Sequence, residues 1–323
     1  MNLLYLSRAD IESLNIGLPA IIEVVEEGFR LKGLGQTEMP PKTSLHPHDP
    51  TTFLNAMPAY VGGDVKAAAM KWVGGADDNY KQGLPTITGL LIFNDPITMV
   101  PLAVMDCSWL TMMRTAAANA VAMKYLAPRH VEVVSVIGCG VQGRANLRVM
   151  ALQYPSIREA RVYDINPDVL ARCVAEAPDE TGLNVVPVGG AEAAVRDADI
   201  VVTAGYMPPN PTPYIEDEWL KAGAMAAPVD YNVAFKSELC QRVDKLVTDD
   251  TGQMDYYRTK GYFEGVPLAW DLGDVVAGAK PGRETDEERT MSMCMGIGID
   301  DAVTAKLIYE TARAQGVGTE LPL

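Results

Sequence analysis

The sequence predicts an α/β protein: a doubly wound parallel sheet joined to a smaller α+β part. From residue 131 onward, short runs rich in β-branched residues alternate with helical patterns, at the spacing that lays parallel strands side by side under covering helices. Before residue 106 the pattern differs, with strand-like runs punctuated by Gly62-Gly63, Gly74-Gly75 and Asn94-Asp95-Pro96. A chain of 323 residues is also long enough for two domains, each with its own core.

Over 16–32, Leu18, Ile21, Ile22, Val25, Phe29 and Leu31 recur at near-helical spacing with Glu23, Glu26, Glu27 and Arg30 between them, which predicts an amphipathic helix. Met39-Pro40-Pro41-Lys42 then breaks any helix. Strands follow at 53–57, 65–73, 86–94 and 99–105, forming a mostly antiparallel sheet with one flanking helix. The next helix starts at Ser108, a suitable N-cap, and ends at Leu126 before Ala127-Pro128. Its Thr115-Ala116-Ala117-Ala118-Asn119-Ala120 stretch calls for a closely packed neighbour. Beyond it, strands are read at 131–137, 160–164, 184–188, 199–204, 224–229 and 245–248, with helices between most of them. The run ending at Gly205 is the fourth strand of this sheet, and its end faces the crevice where such sheets bind ligands. A rigid proline loop spans 208–213, and a helix over 300–315 closes the chain.

The formal net charge of −15 argues against nonspecific binding to nucleic acid or to an anionic membrane. No apolar run approaches the ~20 residues that span a bilayer, and no signal peptide is read at the N-terminus. Cys107, Cys139, Cys173, Cys240 and Cys294 are odd in number and form no Cys-x-x-Cys, so reduced thiols in a cytoplasmic protein are expected. His46-Pro47-His48 has no third ligand cluster beside it and reads as a loop pair; no metal is expected.

The run Val131-Glu132-Val133-Val134-Ser135-Val136-Ile137 feeds directly into Gly138-Cys139-Gly140-Val141-Gln142-Gly143, and a helical pattern follows. In a Rossmann-like βαβ unit the first glycine permits the tight turn, and the second lets backbone approach a pyrophosphate. The third packs the helix against the strand, with the helix N-terminus facing the phosphates. A glycine turn without a ligand is the alternative. The preceding strand, the following helix and an acid about 20 residues on, Asp164, favour dinucleotide binding. An acid at that place bonds the ribose hydroxyls and repels a 2′-phosphate, which points to NAD over NADP. Cys139 reads as a small filler within the loop.

A cofactor fold names no substrate, so the chemistry has to come from the other half. Lys42 follows a double proline. Lys71 alternates with Ala67 and Ala69 in Ala67-Ala68-Ala69-Met70-Lys71-Trp72-Val73. Either it snorkels from a sheet edge, or burial lowers its pKa into a range useful for proton transfer. Arg114 reads by default as a solvated surface residue. In Pro228-Val229-Asp230-Tyr231-Asn232, at the end of a strand, Asp230 either caps the next turn or stands where substrate meets cofactor.

Met39-Pro-Pro-Lys42, Lys71-Trp-Val, Gly83-Leu-Pro-Thr86, Met113-Arg-Thr-Ala-Ala117, the glycine loop and Asp301-Ala-Val-Thr-Ala-Lys-Leu-Ile-Tyr309 occur in this order. Together they resemble the ornithine cyclodeaminase/mu-crystallin family over essentially the whole chain. The resemblance implies a homodimer, with 1–125 plus 300–323 as substrate-binding and dimerisation domain and 126–299 as the NAD-binding domain. It implies that Lys71 contacts the substrate carboxylate and serves as acid/base, and that position 42, usually arginine, grips that carboxylate. Lys42 keeps the charge but loses the bidentate fork. It further implies cofactor contacts at Thr86, Arg114 (to the pyrophosphate), Gly138, Gly140, Val141, Gln142, Gly143, Asp164, Thr203 and Lys236. The family's cofactor-contacting serine is replaced by Cys294, with Met295 beside it at the substrate side. The cyclodeaminase aspartate four residues before Lys236 is Asn232 here; an amide is no general base, so either Asp230 takes over or the reaction differs.

The first expectation is an NAD(H)-dependent reductase of a small imino acid, or of a 2-oxo acid plus ammonia. Lys42, Lys71 and Lys81 leave room for a dicarboxylic imine such as iminosuccinate. Alternatives are an ornithine-type cyclodeaminase using NAD catalytically and a mu-crystallin-like binder of small ligands.

Overall fold

The computed structural model describes residues 1–47, 52–208 and 211–323. His48 of the histidine pair and positions 209–210 of the proline loop therefore lie outside the described residues. The chain divides into two compact units, Met1–Arg114 with Gly296–Leu323, and Thr115–Met295.

The first unit opens with β1 (Asn2–Leu6), α1 (Arg8–Ser13), α2 (Leu18–Gly33), β2 (Thr37–Glu38), β3 (Thr43–Leu45), β4 (Phe53–Val61), β5 (Ala67–Gly75), β6 (Ile87–Asn94) and β7 (Pro101–Asp106). Helix α3 (Ser108–Leu126) leads into the second unit, which holds β8 (Val133–Ile137), α4 (Val141–Gln153), β9 (Glu159–Tyr163), α5 (Pro167–Thr181), β10 (Val185–Pro187), α6 (Ala191–Val195) and β11 (Ile200–Thr203). It continues with β12 (Met225–Pro228), α7 (Ser237–Arg242), β13 (Lys245–Thr248), α8 (Thr251–Arg258), β14 (Trp270–Asp271), α9 (Leu272–Val276) and β15 (Thr290–Met293). The chain returns to the first unit with α10 (Gly298–Gln315) and β16 (Thr319–Pro322).

The sheet of the first unit runs β16-β1-β7-β6-β5-β4-β2, with β3 also on β4. Its pairings are antiparallel except β1 with β7. Two helices build the inner layer, the flanking helix read in the N-terminal half and the last helix, which the resemblance joins to it. Helix α10 packs on β4 and β5, and α2 packs on α10. A Cβ on Gly28 of α2 would stand 3.2 Å from Ile299 Cγ2 and 3.3 Å from Val303 Cγ1, so the two helices need a glycine at their contact. Every residue of α10 from Gly298 to Ala305 is buried, so its first half is a core segment, while Glu310, Arg313 and Gln315 in its second half are exposed.

The second sheet is parallel throughout, in the order β10-β9-β8-β11-β12-β15-β13-β14. Strands β8, β11, β12, β13 and β15 are buried at every position, as a sheet covered on both faces requires. The order reverses between β8 and β11, so their carboxyl ends flank the switch point. Strand β15 was not expected. Thr290-Met291-Ser292-Met293 lacks a β-branched run, yet it inserts between β12 and β13.

Candidate active site

In the first unit, β5 lies between β4 and β6 and offers Lys71 no edge from which to snorkel. Ala67, Ala69, Lys71 and Val73 all face inward, and Lys71 is 0% exposed. Its Nζ donates to Asp301 Oδ1 at 2.7 Å, and Arg114 Nε stands 2.9 Å from the same oxygen. Arg114 Nη1 is 3.9 Å from Asp300 Oδ2. Arg114 is therefore a buried, paired residue, contrary to the surface position a lone arginine suggests. Gly296 makes room for it: φ is +80° there, and a Cβ would stand 2.5 Å from Arg114 Nη1. Burial, joined by the charge of Arg114, pulls Lys71 down to about 8, while Asp301 pulls the other way. Cys107 lies in the same cluster, and burial pushes its thiol up to about 11.

Lys42 is buried immediately before β3. Thr43 pairs with Ala56 and Met57 pairs with Lys71, so continuing the register by one residue puts Lys42, Met57 and Lys71 in one row. At two strand spacings their backbones are roughly 10 Å apart. Thr86 lies elsewhere on the sheet, its carbonyl accepting from the Ala76 amide beyond the end of β5. Lys81 is exposed and paired with Asp78, so it adds no cation to this cluster.

In the second unit, Gly138 has φ +94°, and a Cβ on it would fall 2.4 Å from the Ala204 carbonyl oxygen. A Cβ on Gly143 would fall 1.9 Å from the Gly138 oxygen, which is the close helix–strand approach expected of the third glycine. Gly140 is different. It is the N-cap of α4 at φ −71°, without a side-chain cap, and a Cβ on it would meet nothing within 4 Å. The described residues give no packing reason for that glycine, and amides at an uncapped helix start suit a pyrophosphate. Val141 is exposed and Gln142 half-buried beside it. Asp164 follows β9 and accepts from the Cys139 amide at 2.7 Å and the Asn166 amide at 2.8 Å. Loop and acid are thus locked together, and these residues fit NAD.

At the carboxyl ends of β11 and β12, Thr203 Oγ1 donates to Asp230 Oδ1 at 2.5 Å and the Gly205 amide donates to Oδ2 at 2.9 Å. The Asp230 side chain serves the next strand end instead of capping its own turn. It is 3% exposed, and burial pushes it up to about 6 against those two hydrogen bonds. Tyr231 follows at φ +62°, a left-handed conformation that bulky residues rarely adopt. Asn232 is half-buried. Lys236 precedes α7 and pairs with Glu216 at 2.5 Å, and Cys294 and Met295 are buried after β15.

Sequence reasoning passed over Asp300 and Asp301 as site residues. The signal was available: two adjacent acids in Met293-Cys294-Met295-Gly296-Ile297-Gly298-Ile299-Asp300-Asp301-Ala302-Val303 are as unusual as a lysine among alanines.

The profile of the ornithine cyclodeaminase/mu-crystallin family matches residues 2–316. Alanine dehydrogenase of Archaeoglobus fulgidus is 35% identical over 330 residues, covering 99% of this chain and 98% of its own. Thermococcus litoralis Δ(1)-pyrroline-2-carboxylate reductase, solved in complex with NADH and L-proline, is similar with a TM-score of 0.88 and 33% identity over 99% of this chain and 100% of that one. An archaeal alanine dehydrogenase dimer with bound NAD is similar with a TM-score of 0.87 and 33% identity, each chain covered over 100% of its length. This chain belongs to the ornithine cyclodeaminase/mu-crystallin family.

Proposed function

We propose that this protein is an NAD(H)-dependent oxidoreductase that reduces a small imino acid, or a 2-oxo acid with ammonia, to the amino acid. The observation that carries the reading is a pair of buried groups shifted toward neutrality from opposite sides, Lys71 down to about 8 and Asp230 up to about 6. Titratable groups moved in this way mark acid/base assignments. NAD, when bound, supplies or accepts the hydride. The glycine loop, the start of α4 and Asp164 hold it. Lys42 and Lys71 hold the substrate carboxylate. Lys71, mostly protonated at neutral pH, protonates the imine nitrogen in reduction and takes that proton back in oxidation, while Asp230, mostly ionised, accepts a proton from the substrate ammonium before oxidation and returns it after reduction. Asp230 thereby fills the place left by Asn232.

Lys71 and Arg114 are paired with Asp301 and Asp300, so this cluster is formally neutral. The three relatives described above are named for net redox reactions of amino or imino acids, which favours the reductase over cyclodeamination.

The protein acts in this reading as a cytoplasmic homodimer. Its five cysteines form no disulfide among the described residues, and no helix among them is long and apolar enough to cross a membrane. The outer face of the first sheet carries two apolar rows, Tyr5-Val104-Ile92-Met70-Pro58 and Leu90-Trp72-Ala56. Several of these residues are exposed, and a contiguous apolar sheet face of this kind is a self-association surface.

The test follows NADH absorbance with purified protein, ammonia and a panel of 2-oxo acids, alongside preformed cyclic imines. Steady multi-turnover loss with at least one member is expected. No NADH loss with any of them, together with ammonia release from ornithine or lysine at catalytic NAD, overturns the reading in favour of the cyclodeaminase.

A further inference from the structure

Asp301 lies 230 residues from Lys71 in sequence, yet its Oδ1 accepts a hydrogen bond from the Lys71 ammonium at 2.7 Å and forms an ion pair with Arg114, whose Nε stands 2.9 Å away. Its Oδ2 is buried and accepts no hydrogen bond. Both residues of the Lys71–Asp301 pair are essentially inaccessible, 0% and 1% exposed. A buried ion pair is a poor device for stability, because desolvation offsets most of the attraction. An apolar contact between α10 and β5 would hold the layers together equally well. What the pair does provide is a fixed direction for the lysine. The strand neighbours of Lys71 are Met57 and Leu91, which offer no acceptor side chain.

We propose that Asp301 is the positioning residue for Lys71: through Oδ1 it fixes where the ammonium points and supplies the negative charge that a buried ammonium needs. The proposal rests on the reading above that Lys71 holds or protonates the substrate. Around the pair stand Asp300 on α10, Arg114 on α3 and Cys107 just before α3. Arg114 opposes the ammonium and Asp301 favours it, so neutralising Asp301 leaves Arg114 as the dominant charge at Lys71. Gly296 lies directly against the Arg114 guanidinium, where a Cβ would stand 2.5 Å from Nη1.

The experiment uses full-length protein with 13Cε-labelled lysine, the Lys71 resonance being assigned by its loss in Lys71→Met. Asp301→Asn is expected to move the Lys71 titration down by about one pH unit or more, as loss of a neighbouring opposite charge does. The alkaline limb of kcat/KM should move with it. A folded Asp301→Asn protein whose Lys71 titration stays in place overturns the proposal, even if its activity falls. Should that variant not fold, Asp301→Glu decides. The charge remains, so the titration should stay within about half a unit, while the displaced carboxylate should lower kcat about tenfold or more with little change in KM. Unchanged kcat overturns the proposal. If no imino acid turns over at all and the titration still shifts, the positioning role stands and the reductase reading falls.

Discussion

Gly140→Ala and Gly143→Ala separate a glycine kept for a ligand from a glycine kept for packing. At Gly140 the backbone is in a region any residue adopts, and an added methyl meets nothing within 4 Å. The substitution should leave folding intact or add about 0.4–1 kcal/mol by restricting the unfolded chain. At Gly143 the methyl would sit 1.9 Å from the Gly138 carbonyl, inside a helix packed on β8. Backbone has to move there, at a cost of about 1–3 kcal/mol or more. That corresponds to a fall in melting temperature of about 2–4 °C per kcal/mol for a unit of this size. Binding should reverse the ranking that packing alone predicts for Gly140. A pyrophosphate laid against the loop meets the new methyl, and an overpacking cost of about 1–3 kcal/mol weakens NADH about ten- to hundredfold. Thermal unfolding of the apo proteins and NADH fluorescence titration give both quantities. If Gly140→Ala binds NADH like the wild type, or loses as much stability as Gly143→Ala, the cofactor argument for the loop is wrong.

Lys71 makes stability depend on pH. Its folded pKa of about 8 lies below the ordinary 10.5, so its contribution is complete above 10.5 and is lost as pH falls through 8. Relative to Lys71→Met, wild-type stability to urea should rise by about 2 kcal/mol between about pH 7.5 and 9.5; a flat difference would show that Lys71 is not desolvated. Asp230→Asn should cut turnover about a hundredfold or more and erase the acid limb near pH 6 of the oxidative reaction, whereas an unmoved limb removes Asp230 from the mechanism. Ile92→Glu, in the middle of an outer apolar row, should convert a dimer to a monomer in light scattering without lowering the NADH affinity of the second unit; a persistent dimer would place the interface elsewhere.

Much of the second unit was legible because its signals are local. β-Branched runs mark β8 and β11, and three glycines with an acid downstream mark the cofactor loop within one βαβ unit. The alternation around Lys71 was equally local: it set the side chain on the face of Ala67 and Ala69 and left open whether that face is a covered one. What escaped depended on distant partners. Nothing near Arg114 announces that two acids from α10 will bury it, and its surface default followed from a charge with no visible partner. β1 and β16 pair with each other from opposite ends of the chain, so neither end alone shows the match. β15 is held by neighbours on both sides, which override a segment of low strand character.

The central claim is net reduction at the α-carbon of an imino acid. NADH dideuterated at C4 of the nicotinamide, turned over with the best substrate of the panel, tests it by mass spectrometry of the product. The reductase reading predicts an amino acid one mass unit heavier, with one deuterium at the α-carbon for each NADH consumed. Product without deuterium, or cyclic amino acid formed from a diamino acid while total NADH stays constant, contradicts it.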